Sequence, residues 1–350
     1  MKSFALRLVF WQKMYGRHGL PWQTREPYLV WLSEIMLQQT QVATVLDYYP
    51  RFVAAFPNVQ ALAAADEDEV MGLWQGLGYY SRARNLHKAA KQVVTEFAGK
   101  FPRSRIELQT LCGVGRSTAA AIAAFCFDAR ETILDGNVKR VLCRVLALDG
   151  HPTNKTFEQL LWRTAESLLP EDAADMPAYI QGLMDLGATV CKRSNPICAT
   201  CPMSDICLAR AQNRICELPR KKTTTTIKNL VLFWLIMRNA EGALFLHKRN
   251  AKGIWGGLWC VPCLDSLQQL YELAAEFGLS ANELNEGAEI SHRLTHRQLQ
   301  ILPFSALINA ESSVNSLSIA GKWVLPENLA DYGLPRPLHA YLSAAQGNLF

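Results

Sequence analysis

The sequence predicts a mainly α-helical N-terminal region, residues 1–215, followed by a smaller α+β domain, residues 230–350. Three observations point to this. Apolar residues recur with helical spacing at 30–46, 67–74, 81–97, 117–127 and 138–147. Beyond residue 230 the pattern changes to short apolar runs of strand character at 230–237, 243–247 and 299–307, with helical stretches at 267–277 and 338–345. Between the two regions, 216–229 carries Pro219-Arg-Lys-Lys and four threonines without periodicity, which reads as a linker. Glycines at 76, 78, 113, 115 and 136 punctuate the helical part as turns.

A chain of 350 residues with 49% hydrophobic and 19% charged residues is globular and long enough for two or three domains. The net charge of +5 and pI near 8.6 admit an anionic partner without demanding one. No stretch reaches 18 uncharged apolar residues, so no membrane partner is expected. Arg7 interrupts the apolar start and no small-residue cleavage site follows, so a cytosolic protein is expected. Its ten cysteines then point to metal or packing roles rather than disulfides.

Cys191, Cys198, Cys201 and Cys207 follow C-x6-C-x2-C-x5-C. Structural zinc commonly uses two close cysteine pairs. Here only Cys198 and Cys201 are close, which suits a cubane [4Fe–4S] cluster better. Zinc and plain buried thiols are the alternatives. Pro196 and Pro202 stiffen the loop, and Lys192 and Arg193 stand beside it as candidate phosphate contacts. Cys126 and Cys143 lie on apolar helix faces and read as core. Cys260 and Cys263 form a lone CxxC, which favours packing over metal.

Residues 111–118, Leu-Cys-Gly-Val-Gly-Arg-Ser-Thr, read as a hairpin between two helices. Gly113 and Gly115 can adopt left-handed torsions and leave backbone N–H groups open. With the helix N-terminus that follows, they suit a sequence-independent phosphate site. A plain helix connection is the alternative. Farther on, Asp135 precedes a helix in Ile133-Leu-Asp-Gly-Asn-Val. An aspartate there caps the helix, and the helix field keeps it ionised, the state that stabilises a developing cation.

Glu34 stands among Trp31, Ile35, Met36 and Leu37 on a stretch that reads as one helix through Val42. Apolar surroundings raise a carboxyl pKa and suit a general acid. A surface glutamate is the alternative. Gln38, Gln39 and Gln41 offer amides suited to base edges. The loop 74–85 sets Tyr79 and Tyr80 beside Arg82 and Arg84, a pattern for base stacking and phosphate contact.

Together these motifs resemble the helix-hairpin-helix glycosylases of the endonuclease III superfamily, and within it the adenine DNA glycosylase family. The segments that carry the resemblance are SEIMLQQTQV (33–42), GLGYYSRARNLHKAA (76–90), GVGRSTAAAI (113–122), ILDGNVKRV (133–141), the cysteine quartet and WGGLWCVP (255–262). The resemblance implies a six-helix barrel module plus an iron–sulfur module, with a Nudix-like C-terminal domain. It implies that Glu34 protonates adenine at N7 and that Asp135 stabilises the oxocarbenium sugar or adds to it, in a base taken out of the stack. Gln39, Thr40, Leu77 and Tyr79 match positions that fill the gap or contact the opposite base, with Tyr79 as a wedge. Gln181 matches a residue near the adenine pocket. Gly113 and Gly115 match the backbone phosphate site.

The resemblance also implies double-stranded DNA with A·8-oxoguanine or A·G pairs as the partner, a monomeric state and a nucleoid-associated cytoplasmic location. Bifunctional relatives carry Lys where this chain has Ser117, which favours a monofunctional hydrolase. An endonuclease III-like glycosylase/lyase is the alternative, with Lys139 a candidate for incidental crosslinking. The C-terminal domain lacks the acidic R-E-x-x-E-E array of Nudix hydrolases. Leu294-Thr295-His296 stands where the family has Phe-Ser-His: Thr295 keeps the hydroxyl and Leu294 loses the ring. Cys112 stands where the hairpin usually has Pro, which predicts a less rigid turn.

Overall fold

A computed structural model describes residues 2–151, 153–220, 227–308 and 318–347. The helices in chain order are α1 (Lys2–Tyr15), α2 (Pro27–Leu37), α3 (Val42–Ala55), α4 (Val59–Ala64), α5 (Glu67–Leu73), α6 (Ser81–Glu96), α7 (Arg105–Leu108), α8 (Arg116–Phe127), α9 (Gly136–Val145), α10 (Lys155–Ser167), α11 (Met176–Asp185) and α12 (Leu208–Ala211). Then come β1 (Lys228–Asn239), β2 (Leu244–Lys248), β3 (Trp259–Cys260), β4 (Cys263–Leu264), α13 (Leu267–Glu276), β5 (Asn285–Glu286), β6 (Ile290–Arg293), β7 (Arg297–Ile308), β8 (Lys322–Val324) and α14 (Arg336–Gly347). The class expected from periodicity is the class observed. No described helix is long and apolar enough to cross a membrane.

The chain divides into two units: residues 1–64 with 85–223, and residues 65–84 with 224–350. This moves two boundaries. The segment 65–84, expected in the helical region, groups with the C-terminal unit. Lys248 pairs with Asp68 at 2.6 Å, and Arg84 donates to the carbonyls of Gly256 and Ala251. The expected linker also begins later. Leu218 is 1% exposed and belongs to the first unit's core, and its carbonyl accepts from Arg144 Nε at 2.9 Å. A basic, Pro-containing stretch looks unstructured by composition, but one leucine and one carbonyl suffice to dock it. Of the linker, residues 221–226 lie outside the described residues.

In the first unit, α1, α8, α9, α10 and α11 share one core, with Leu8, Ile180, Leu183, Val138 and Leu142 at its centre. The alanines of α8, Ala119 to Ala124, are fully buried, and small side chains allow close helix approach. Helix α2 is apolar nearly all round and buries Val30, Trp31, Leu32, Ile35 and Met36, as a helix inside a domain should. The predicted helix 30–46 is in fact two. It breaks after Leu37 because Gln39 takes a left-handed torsion, φ 56°, and Val42 starts α3.

In the second unit the sheet runs β3-β2-β1-β7-β5, with β4 also on β1, β6 on β7 and β8 on β2. Strands β1 and β7 are parallel in the register Lys228↔Arg297. Helix α13 packs Leu270, Leu273 and Ala274 against Leu235, Met237 and Phe245. Cys260 is fully buried and Cys263 is half-buried, in keeping with packing. Cys143 is core as expected, and Cys126 is half-buried.

Candidate active site

A cleft of about 1210 Å³ opens in the first unit and is lined by both predicted carboxylates, Glu34 and Asp135. Glu34 sits on α2, whose other faces are buried, so its side chain looks into this cleft. Burial pushes its carboxyl up to about 8, and the negative charge of Asp135 adds to the rise. A proton is thereby held on Glu34 at neutral pH.

Asp135 caps α9, accepting from Val138 N–H at 2.8 Å. It is exposed to the cleft, and the loss of hydration there raises its pKa. The N–H groups of Val138 and Asn137 and the charges of Arg140 and Lys139 oppose that rise. The cap and the electrostatics are thus one arrangement. Ser117, on the first turn of α8, also lines the cleft. Its Oγ accepts from Leu134 N–H at 3.0 Å, one residue before Asp135. Gln38, Gln39, Thr40 and Gln41 line the opposite wall from the break between α2 and α3, and Gln38 donates to Thr118 Oγ1 at 3.2 Å.

Gln181, Leu77, Arg82, Arg84 and Lys139 are each held by other groups of the fold. Gln181 does not line the cleft. It donates to Asp185 Oδ1 at 2.9 Å, and the fully buried Asp185 in turn holds Arg17, which does line it. Leu77 is 6% exposed and packs inward. Arg82, 8% exposed, stacks on Trp74 and Tyr79 and donates to the carbonyls of Leu77 and Gly78, while Arg84 is taken up by Gly256 and Ala251. Loop carbonyls therefore orient both guanidinium groups. Lys139 is ion-paired with Glu158 and is not among the residues lining the cleft.

Tyr79 remains 44% exposed, with φ 49°, and its phenol meets Thr295 Oγ1 at 3.1 Å. Thr295 and His296 are exposed at the tip of the β6–β7 hairpin, closed by Leu294 N–H donating to Arg297 O at 2.8 Å.

At the hairpin before α8 only Gly113 is left-handed, φ 76°. Gly115 is extended and serves as the α8 N-cap. A Cβ on Gly113 would lie 2.8 Å from Asn85 Cβ, whereas the space beside Gly115 is open. Gly113 is therefore required by both torsion and packing, and Gly115 leaves the α8 N–H groups uncovered.

Cys191, Cys198, Cys201 and Cys207 line one small cavity of about 20 Å³, walled by Val141, Val145 and Leu186. A π-turn, Leu186–Val190, delivers Cys191, whose N–H donates to Leu186 O at 2.6 Å. Arg144 donates to Cys191 Sγ at 3.4 Å, and Cys207 Sγ donates to Arg144 O at 3.5 Å. Among the described residues no three His, Cys, Asp or Glu side chains converge as ligands of a single metal ion.

Residue-by-residue reading of the sequence missed Arg140 and Asn137, which line the cleft beside Asp135. Arg140 donates to Asn137 Oδ1 at 2.8 Å, to Gly187 O at 2.7 Å and to Cys191 O at 2.8 Å. Its place on the first turns of the helix that Asp135 caps was the available signal.

Residues 32–167 match the HhH-GPD superfamily base excision DNA repair protein family, and residues 233–344 match the NUDIX domain. The chain is 38% identical to the adenine DNA glycosylase of Buchnera aphidicola subsp. Baizongia pistaciae, covering 96% of this chain and 94% of that one. It is 33% identical to the adenine DNA glycosylase of Homo sapiens over 93% of this chain and 70% of that one. A thermostable thymine-DNA glycosylase of known structure aligns with TM-score 0.54 at 27% identity, over 60% of this chain and 96% of that one.

Proposed function

The chain belongs to the adenine DNA glycosylase family, and from that premise we propose that it hydrolyses the N-glycosidic bond of adenine paired with 8-oxoguanine or guanine, without lyase chemistry. The observation that carries this reading is the pair of unlike carboxylates in one cleft. Glu34, held protonated near neutrality, gives its proton to N7 of an adenine drawn out of the stack, which makes the base a leaving group. Burial raises the Asp135 pKa, two N–H groups and two nearby cations oppose that rise, and as the carboxylate it faces the positive charge that grows on the sugar. Water then completes the hydrolysis. Ser117 carries no amine, so no Schiff base forms at that position.

Backbone N–H groups at Gly113, Gly115 and the α8 N-terminus hold a phosphate of the duplex. Gln39 and Thr40 contact the vacated position, and Tyr79 enters it as a wedge. Thr295 and His296 read the base opposite. Gln181 acts at one remove, by holding Asp185 and with it Arg17.

The four thiols suit a [4Fe–4S] cluster. They share one apolar-walled cavity with an arginine donating to a sulfur, and their C-x6-C-x2-C-x5-C spacing suits a cluster better than the two close pairs of structural zinc. When bound, such a cluster ties residues 191–207 into one rigid loop beside the cleft.

A panel of duplexes carrying A·8-oxoguanine, A·G, A·T or thymine glycol, incubated with protein and then with alkali, tests the reading. Strand breaks at A·8-oxoguanine and A·G that depend on alkali are expected. Cleavage of thymine-glycol duplexes with the adenine pairs left intact would sink it.

A further inference from the structure

We infer that Gln92 is a positioning residue for the phosphate-binding hairpin, taking up a backbone N–H that the hairpin turn itself leaves unbonded. The inference rests on the reading of that hairpin as a duplex contact. Residues 111–114 form a tight turn: Val114 N–H donates to Leu111 O at 3.1 Å, and Gly113, third in the turn, has φ 76°. That hydrogen bond with a left-handed third residue is the signature of a type II turn, in which the second residue favours proline. Here the second residue is Cys112, which keeps an N–H that no turn bond uses.

Gln92 Oε1 accepts that N–H at 2.8 Å. Gln92 lies on α6 seven residues after Asn85, and the Asn85 side chain closes against Gly113, leaving no room for a Cβ. Positions seven apart in a helix share a face. The two polar side chains at 85 and 92 therefore meet consecutive residues of the same turn, one by contact and one by hydrogen bond. On that face α6 is a template for the hairpin. Cys112 makes the turn less constrained than proline would, and Gln92 supplies the constraint from outside. The turn in turn sets where the N–H groups beyond Gly113 point, so Gln92 acts on duplex affinity and not on the carboxylates.

The experiment uses the full-length protein with Gln92→Leu, and with Gln92→Leu combined with Cys112→Pro. A duplex bearing an adenine mispair is the probe. Dissociation constants, single-turnover excision rates at saturating protein and melting temperatures are measured for each. For Gln92→Leu the expected result is affinity weaker by roughly tenfold, because the turn that aims the hairpin N–H groups loosens, with the saturating rate unchanged. Adding Cys112→Pro removes the orphaned N–H and pre-sets the turn, and is expected to restore affinity to within about twofold of the original protein.

Unchanged affinity in Gln92→Leu overturns the inference. So does a loss of affinity, rate and melting temperature together that proline does not restore, since that marks general damage. If the unaltered protein fails to bind the duplex, the functional reading falls and this inference with it. If it binds and the variants bind equally well, only this inference falls.

Discussion

The phenol of Tyr79 and the hydroxyl of Thr295 lie 3.1 Å apart, joining residues separated by 216 positions in the chain. Tyr79 holds a left-handed torsion that a bulky L residue adopts only at a cost of about 1–3 kcal/mol, and Arg82 stacks against its ring. On the proposed reading, a strained, half-exposed aromatic fixed at its tip is preorganised for insertion into a base stack. Thr295→Val keeps the shape and deletes the hydrogen bond. Affinity for an A·8-oxoguanine duplex is expected to weaken about two- to tenfold, with Thr295→Ser close to the original protein. Equal affinities of the Val and original proteins, in a binding titration, would remove this bond from the account.

The carboxyl of Glu34 gives both a rate and a stability prediction. As the proposed proton donor it must be protonated, so activity is expected to fall as pH rises through about 8. Asp135 must be ionised, so activity also falls toward acid, beginning above the usual aspartate range because its pKa is raised. A bell-shaped profile of kcat/KM is expected, with its basic limb abolished in Glu34→Gln along with the excision itself. Between 4.5 and about 8 the unfolded chain has lost the Glu34 proton while the folded chain keeps it, so rising pH destabilises the fold across that window. Thermal melts of Glu34→Gln should therefore exceed those of the original protein increasingly from pH 5 to 8 (roughly that window). A melting temperature that tracks the original at every pH contradicts the buried, protonated carboxyl.

Asp135→Asn separates the cap from the charge. Asparagine caps helices about as well as aspartate, so stability should change by less than about 1 kcal/mol. The charge proposed to face the sugar cation is gone, so single-turnover excision should fall by about 10²-fold or more while duplex affinity is kept. Full excision by Asp135→Asn would leave Asp135 a helix cap and nothing more.

The four cysteines are tested by composition. Purified protein is expected to carry iron and acid-labile sulfide at close to equal amounts, with visible absorbance, and Cys198→Ser to lose most of it. A colourless protein holding one zinc per chain would replace the cluster with a structural zinc site.

Much of this molecule was legible in its sequence because the signals are local. Asp135 reads as a helix cap because Gly136-Asn-Val-Lys follows it, and the structure makes it one. Glu34 stands out because its neighbours along α2 are apolar, and that same apolarity buries the helix and lifts the pKa. The strands β1, β2 and β7 lie where runs of apolar residues end in turn residues.

Contacts between residues far apart in the chain come from the packing of the fold. Gln39 turns left-handed and splits a stretch that periodicity reads as one helix, which puts four polar residues on the cleft wall. Arg82 and Arg84 look like phosphate ligands by composition, yet carbonyls of Leu77, Gly78, Ala251 and Gly256 take them. Gln181 stands behind Asp185 rather than in the cleft, and Gln92 finds the N–H of Cys112 twenty residues on. Periodicity and capping are properties of neighbouring residues and survive in any context. Which donor meets which acceptor depends on how whole elements pack, because a buried polar group must be satisfied by whatever the fold brings to it.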